Sequence, residues 1–203
     1  MARLDSHIAS APIPYLGLAI FQGWETNPAA IACSVLGSVI CDVDTERSII
    51  GDLFPIAKLC KKAGIEIEHQ GFFHSLTFIA VVGILTSPLL LLGWKEAYIA
   101  FLLAIFISHQ VLDGIISDPP AQGIKWLAPI SEDRFVFCPN PEFSFEYGSK
   151  QEAVLRWIMV VITGVLLTIN LFSPRLILNY YFADAQAAVE IIDMWGSNYE
   201  LKA

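Results

Sequence analysis

The sequence predicts an all-α, membrane-embedded bundle of about four to five helices, with a metal site at its cytoplasm-facing end. Three observations predict it. Hydrophobic residues make up 55% of the 203 residues and charged residues only 16%, against roughly 25% charged in ordinary soluble domains. Five stretches, residues 6–24, 26–41, 71–94, 97–112 and 157–174, contain no Asp, Glu, Lys or Arg. The four histidines and several acids fall at the ends of those stretches. So apolar a chain has enough burial to fold, which excludes disorder. With 12 Lys+Arg against 20 Asp+Glu and a net charge of -8, it lacks the basic face that nucleic acid requires.

A membrane-spanning helix needs roughly 20 mostly apolar residues. In stretch 6–24, Pro12 and Pro14 bend the helix or delay its start. Arg3 ahead of this run suggests a cleaved signal, but Asp5 and the prolines spoil the pattern, so the N terminus is expected to be retained. Stretch 26–41 is short and rich in small residues (Ala29, Ala30, Ala32, Ser34, Gly37, Ser38), which suits close helix packing. Stretch 71–94 meets the length outright. Stretch 97–112 meets it if the helix runs past Asp113 to about residue 117, and 157–174 meets it narrowly.

One membrane-bound domain is expected over 1–203. It divides into a metal-site helical core (1–130), an aromatic, Pro-rich loop (117–152), a further membrane helix (153–174) and an amphipathic tail (175–203), with 183–195 lying on the surface. Lys95-Glu96 reads as a tight turn. Alternating aromatics on either side of Cys138-Pro139-Asn140-Pro141 read as a small hairpin. Cys33, Cys41, Cys60 and Cys138 form no CxxC pair and read as free thiols in a reducing compartment. If all five stretches cross, Arg3, Arg47, Lys58, Lys61, Lys62, Lys125, Arg134 and Lys150 share one side. Lys95, Arg175 and Lys202 fall on the other. The positive-inside rule makes the first side cytoplasmic in a multi-pass inner (plasma) membrane protein.

The same side gathers chemistry. His7 opens the first stretch, Asp42 and Asp44 close the second, His69 and His74 open the third, and His109 and Asp113 close the fourth. An up-down bundle puts the starts of odd helices and the ends of even ones on one face. His109 and Asp113 are spaced i,i+4 and share a helix face. Thr45 and Ser48 are placed to orient the acids of Asp42-x-Asp44, and Gly71 permits a tight approach between His69 and His74. Imidazole mixed with carboxylate suits zinc, with manganese and iron as alternatives. Seven ligands exceed the need of one tetrahedral ion, which points to one or two divalent metals. Read singly, each residue has a plainer role as a cap, a solvated helix end or a hydrogen-bonded pair. An ionisable pair at membrane depth is costly, however, and usually functional.

Gly37–Asp44, then His69-Gln70-Gly71-Phe72-Phe73-His74-Ser75-Leu76, then Ser108-His109-Gln110-Val111-Leu112-Asp113 occur in this order. The set resembles the membrane-bound, metal-dependent hydrolases of the YdjM type, bacterial inner-membrane proteins under LexA control. Gly123–Pro129 resembles the Gly-x-x-x-x-x-Pro segment that follows in that family. The resemblance spans roughly residues 7–129. It implies metal positions at His7, Asp42, Asp44, His69, His74, His109 and Asp113. Cys41 stands where the family often has Pro, Gln70 where it has Arg, and Phe73 where it has Thr. Without the guanidinium, a bidentate clamp for phosphate or carboxylate is lost.

Three functions follow. The first is hydrolysis of an ester or phosphoester, lipid-linked because the site opens at the membrane. A bound metal brings the pKa of its water to roughly 7, and Asp44 bridges two metals or acts as base. The second is a non-catalytic metal, ion or haem carrier, the haem held by bundle histidines. The third is a partner-binding subunit with a structural metal site. Membrane lipids are the expected partners, and nucleic acid is not one.

Overall fold

The computed structural model describes residues 4–45, 48–65, 67–115, 123–136 and 148–172, and these are helical, with no strand among them. The only pairing of strand type among them is an isolated bridge between Ile124 and Phe135. The expected hairpin around Cys138 and the amphipathic tail lie outside the described residues.

The first stretch forms two helices, α1 (Leu4–Ser10) and α2 (Pro12–Gln22), because Pro12 starts a new helix at its first turn. Gly23, at φ 70°, ends α2 in the left-handed region. Asn27 caps α3 (Pro28–Val39) by accepting from the amides of Ala29 and Ala30. A 3-10 turn, Ile40–Asp44, follows and carries both acids of the second stretch. Ser48 caps the short α4 (Ile49–Leu53), and α5 (Ile56–Lys62) comes next.

The third stretch departs from expectation. It is a 3-10 turn, Phe72–His74, then α6 (Leu76–Thr86) and α7 (Pro88–Leu91). Ser75 caps α6 and Pro88 restarts the helix, so the apolar run Leu76–Leu91 stays shorter than a full span. The turn after it is at Gly93, φ 78°, while Lys95 and Glu96 form the first turn of the next helix.

That helix is continuous from Lys95 to Ile115. It consists of α8 (Lys95–Leu103), a π-helical segment (Ala104–Val111) and α9 (Leu112–Ile115). With α10 (Lys150–Leu171), it is one of two described helices long and apolar enough to cross a membrane.

Small residues set the central packing. Ala30, Ser34, Gly37 and Ser38 of α3 are buried, as are Ala97, Ala100 and Ala104 opposite them. A Cβ on Gly37 would lie 2.3 Å from the Phe101 carbonyl oxygen, so the two backbones touch where only glycine fits. Tyr15, Leu16 and Ala19 of α2 join Ala30 and Ala100, with Leu166 and Leu167 of α10 against them.

Helix α10 is fixed by polar contacts. The hydroxyl of Ser6 donates to Glu152 at 3.0 Å, that of Thr163 to the Ala9 carbonyl at 3.0 Å, and Arg156 pairs with Asp5. Its other faces expose Trp157, Val161, Val165 and Phe172, an apolar surface suited to lipid.

Candidate metal centre

The seven predicted ligands meet at one end of the bundle, in three linked sets. His7, His109 and Asp113 form the innermost; Asp42, His74 and His109 the middle; Asp44, His69 and His74 the outermost. Within each set the ligand atoms lie within 4.8 Å of one another. All seven side chains are buried except His69, whose side chain is 32% exposed.

The backbone explains how they meet. The π-helical segment carries Ser108 and His109, and π segments often occur at functional sites. Ser108 is the pivot: its carbonyl accepts from His7 Nδ1 at 2.9 Å and from the Ser10 hydroxyl at 3.3 Å. Its own hydroxyl donates to the Ser10 carbonyl at 3.0 Å. The Ser38 carbonyl accepts from His109 Nδ1 at 2.7 Å. On the outer side, His69 Nδ1 donates to Asp44 Oδ1 at 2.8 Å, beside the Thr45 hydroxyl, which also donates to Asp44 Oδ1 at 3.0 Å.

These bonds fix the tautomers. His7, His69 and His109 each spend the Nδ1 proton on an acceptor, so in the neutral ring Nε2 carries a lone pair. This is the arrangement common in metal-bound histidine. The Nε2 of His7 faces Asp113 Oδ1 at 3.2 Å, and that of His109 faces His74 Nε2 at 2.9 Å. Asp42 Oδ1 accepts no hydrogen bond although buried, and its nearest cationic candidate is His109 Nε2 at 3.8 Å. Imidazole nitrogens and carboxylate oxygens thus converge in a buried space. Protons alone would have to charge His7 against Asp113 and His74 against Asp44, two rings that both pack on His109. A divalent cation satisfies the same carboxylates and lone pairs without burying two imidazolium ions.

Charge acts differently on the two acids of the turn. Burial, reinforced by the Asp113 carboxylate, pushes Asp42 up to about 6. Burial also acts on Asp44, but hydrogen bonds from His69 and His74 more than offset it and hold Asp44 below the usual carboxylate range.

A strap closes the rim. Residues 123–136 lie against the His69–His74 loop through Lys125 N to Gln70 O at 3.1 Å and Leu76 N to Trp126 O at 2.9 Å. Lys125 pairs with Glu68 and Glu132, and Arg134 with Glu68. In the loop, Gln70 and not Gly71 takes the left-handed backbone, at φ 60°. Gly71 matters for space instead, since a Cβ there would lie 2.8 Å from the Glu68 carbonyl. Ser48, expected to orient an acid side chain, holds the Asp42 carbonyl at 2.6 Å.

Sequence reasoning did not find the carbonyls of Ser38 and Ser108, because backbone acceptors leave no residue signature. It also passed over Glu152, although Ser149-Lys150-Gln151-Glu152 carries the capping-box signal. In the structure the Ser149 hydroxyl accepts from the Glu152 amide, and Glu152 accepts from the Gly148 amide.

Comparison with protein families gives one match: the model described as YdjM inner membrane protein covers residues 1–186. No curated protein and no solved structure matches the chain.

Proposed function

This chain belongs to the YdjM inner membrane protein family, and from that membership and the imidazoles and carboxylates converging in its buried cluster we propose a membrane-bound, metal-dependent hydrolase. Its substrate class is an ester or phosphoester of a lipid or lipid-linked molecule. The residues fit a divalent metal, zinc before manganese or iron, in one or two positions. When bound, such an ion supplies Lewis acidity and an acidified water.

The chain's own residues do the rest. His7 and His109 are held by the Ser108 and Ser38 carbonyls and keep Nε2 aimed inward. Asp42 and Asp113 contribute negative charge from the turn and from α9. Asp44 has Oδ1 occupied by His69 and Thr45, while Oδ2 turns toward His74 Nδ1 at 3.2 Å. That second oxygen is the one Asp44 can offer to an ion or a water beside His74, so Asp44 is the residue we assign to the reacting end. His69, the one partly exposed member, marks where a substrate enters.

The orientation belongs to the same proposal. Lys95–Ile115 and Lys150–Leu171 are long and apolar enough to cross, and the cations at the ligand-bearing end support a cytoplasmic site.

A second reading is favoured by one observation for one part of the site: His7, His109 and Asp113 are wholly enclosed. Closed ligand sets hold structural ions, so the innermost position serves as a staple for the bundle. A haem carrier fits less well, because the His7 and His109 rings stack side by side instead of facing each other across a gap.

The carrying observation is the convergence of four imidazoles and three carboxylates in one buried cluster. Elemental analysis of the purified protein should find zinc, manganese or iron, and chelation should lower its melting temperature. The loaded protein should cleave a p-nitrophenyl ester or phosphoester in lipid-detergent micelles. Metal-free protein with unchanged stability after chelation would overturn the reading.

A further inference from the structure

Helices α4 and α5 hold no candidate ligand, yet they carry a run of exposed apolar side chains near the centre. Ile49 is 70% exposed, Leu53 68%, Phe54 50% and Leu59 59%. Only Ile50, Gly51 and Ala57 turn inward. Ile50 packs with Val39, Val43 and Phe73, which seats α4 on the turn that carries Asp42 and Asp44.

At 100° per residue, α5 places Ile56, Leu59 and Cys60 on one side and Lys58, Lys61 and Lys62 on the other. Residues 48–65 hold three lysines against one aspartate, a surplus of two cations in a chain of net charge -8. Apolar side chains beside lysines, on a short helix pair, are the marks of a segment lying in a membrane interface. The lysine stems let the ammonium groups reach phosphates while the apolar side sinks.

We propose that α4 and α5 form an in-plane anchor seated on the anionic lipid headgroups of the leaflet next to the metal centre. The occupant is lipid, and the local charge selects it: a cationic patch complements anionic headgroups. Because α4 is packed on the Ile40–Asp44 turn, the anchor also fixes the depth of the centre and brings the His69 opening to headgroup level. The inference does not depend on hydrolysis, since depth is read without activity.

The test uses the full chain in vesicles of phosphatidylcholine alone or mixed with phosphatidylglycerol. A bimane fluorophore is placed on L59C in a background whose other accessible cysteines are replaced by serine. Lipids nitroxide-labelled near the headgroup should quench it in the mixed vesicles, and aqueous iodide should quench it weakly. The triple variant K58Q/K61Q/K62Q changes only partly or fully exposed side chains. It should lose lipid quenching and gain iodide quenching, with an unchanged melting temperature. Full iodide quenching in the parent would overturn the anchor. Lipid quenching that ignores both phosphatidylglycerol and the lysines would overturn the anionic assignment. Shielding from both quenchers that grows with protein-to-lipid ratio would mean that a second copy covers the face, and would overturn it too.

Discussion

The innermost and outermost ligand sets are built from the same residue types but finished differently. His7, His109 and Asp113 are closed on every side, and both histidines are tied to backbone carbonyls inside the helical core. Asp44, His69 and His74 lie on a turn and a loop, are tied by side chains, and leave His69 partly open. Backbone anchors in a packed core move little, whereas side-chain anchors in loops can adapt to a substrate. The same residue types thus yield an enclosed set and an accessible one, and on the proposed reading these serve as a structural and a catalytic metal site.

The comparison breaks most visibly at His109, which belongs to both the innermost and the middle sets. H109A removes the imidazole shared by those two sets and its bond to the Ser38 carbonyl, and leaves a cavity among buried groups. Elemental analysis should find the inner ion lost, with less metal per chain than the parent, and calorimetry a large drop in melting temperature. H69A tests the other end. It should abolish cleavage while leaving the inner ion and the melting temperature close to the parent. Equal stability loss in both variants would erase the distinction between rigid and accessible positions.

A smaller change sharpens it. T45V removes the hydroxyl that donates to Asp44 Oδ1 at 3.0 Å next to His69. Loss of such a supporting contact typically costs about 10–100-fold in metal affinity or activity. The loss should appear in kcat with the outer metal only, measured at saturating substrate. On the inner side the matching change is G37A. Its methyl would meet the Phe101 carbonyl and push α3 from α8, carrying the Ser38 carbonyl away from His109. Overpacking of this kind costs about 1–3 kcal/mol, and thermal unfolding should report it.

How far the sequence displays this arrangement follows from the same contrast. The convergence of His7, Asp42, His74 and His109 is legible because uncharged stretches mark helix ends and helix ends mark a face. The breaks at Ala11, Ser75 and Ser87 are less so: length alone suggests spans where a proline restarts the helix or a capping serine starts it late. The π-helical segment is invisible, since nothing in Ala104–Val111 departs from an ordinary apolar helix. The rigid half of the site therefore rests on features that the sequence hides, and the open half on residues that it names.

Acidification gives the finest separation, between the middle set with Asp42 and the outermost set with Asp44. Asp42, pushed up to about 6 by burial and by Asp113, must lose its proton before it can share a cation. Asp44 is held below the usual range by its hydrogen bonds and stays ionised. Below pH 6 each unit costs Asp42 about tenfold in its ionised fraction, worth about 1.4 kcal/mol. Titrating the loaded protein from pH 7 to 5 should release the ion that depends on Asp42 before the one that depends on Asp44. D42N should remove that first step. For the ion-free protein the sign reverses: a raised carboxyl favours folding while protonated, so that contribution fades as pH rises through about 6. Chelated protein should therefore lose stability over the interval in which loaded protein gains it, and parallel curves would show that Asp42 shares no cation.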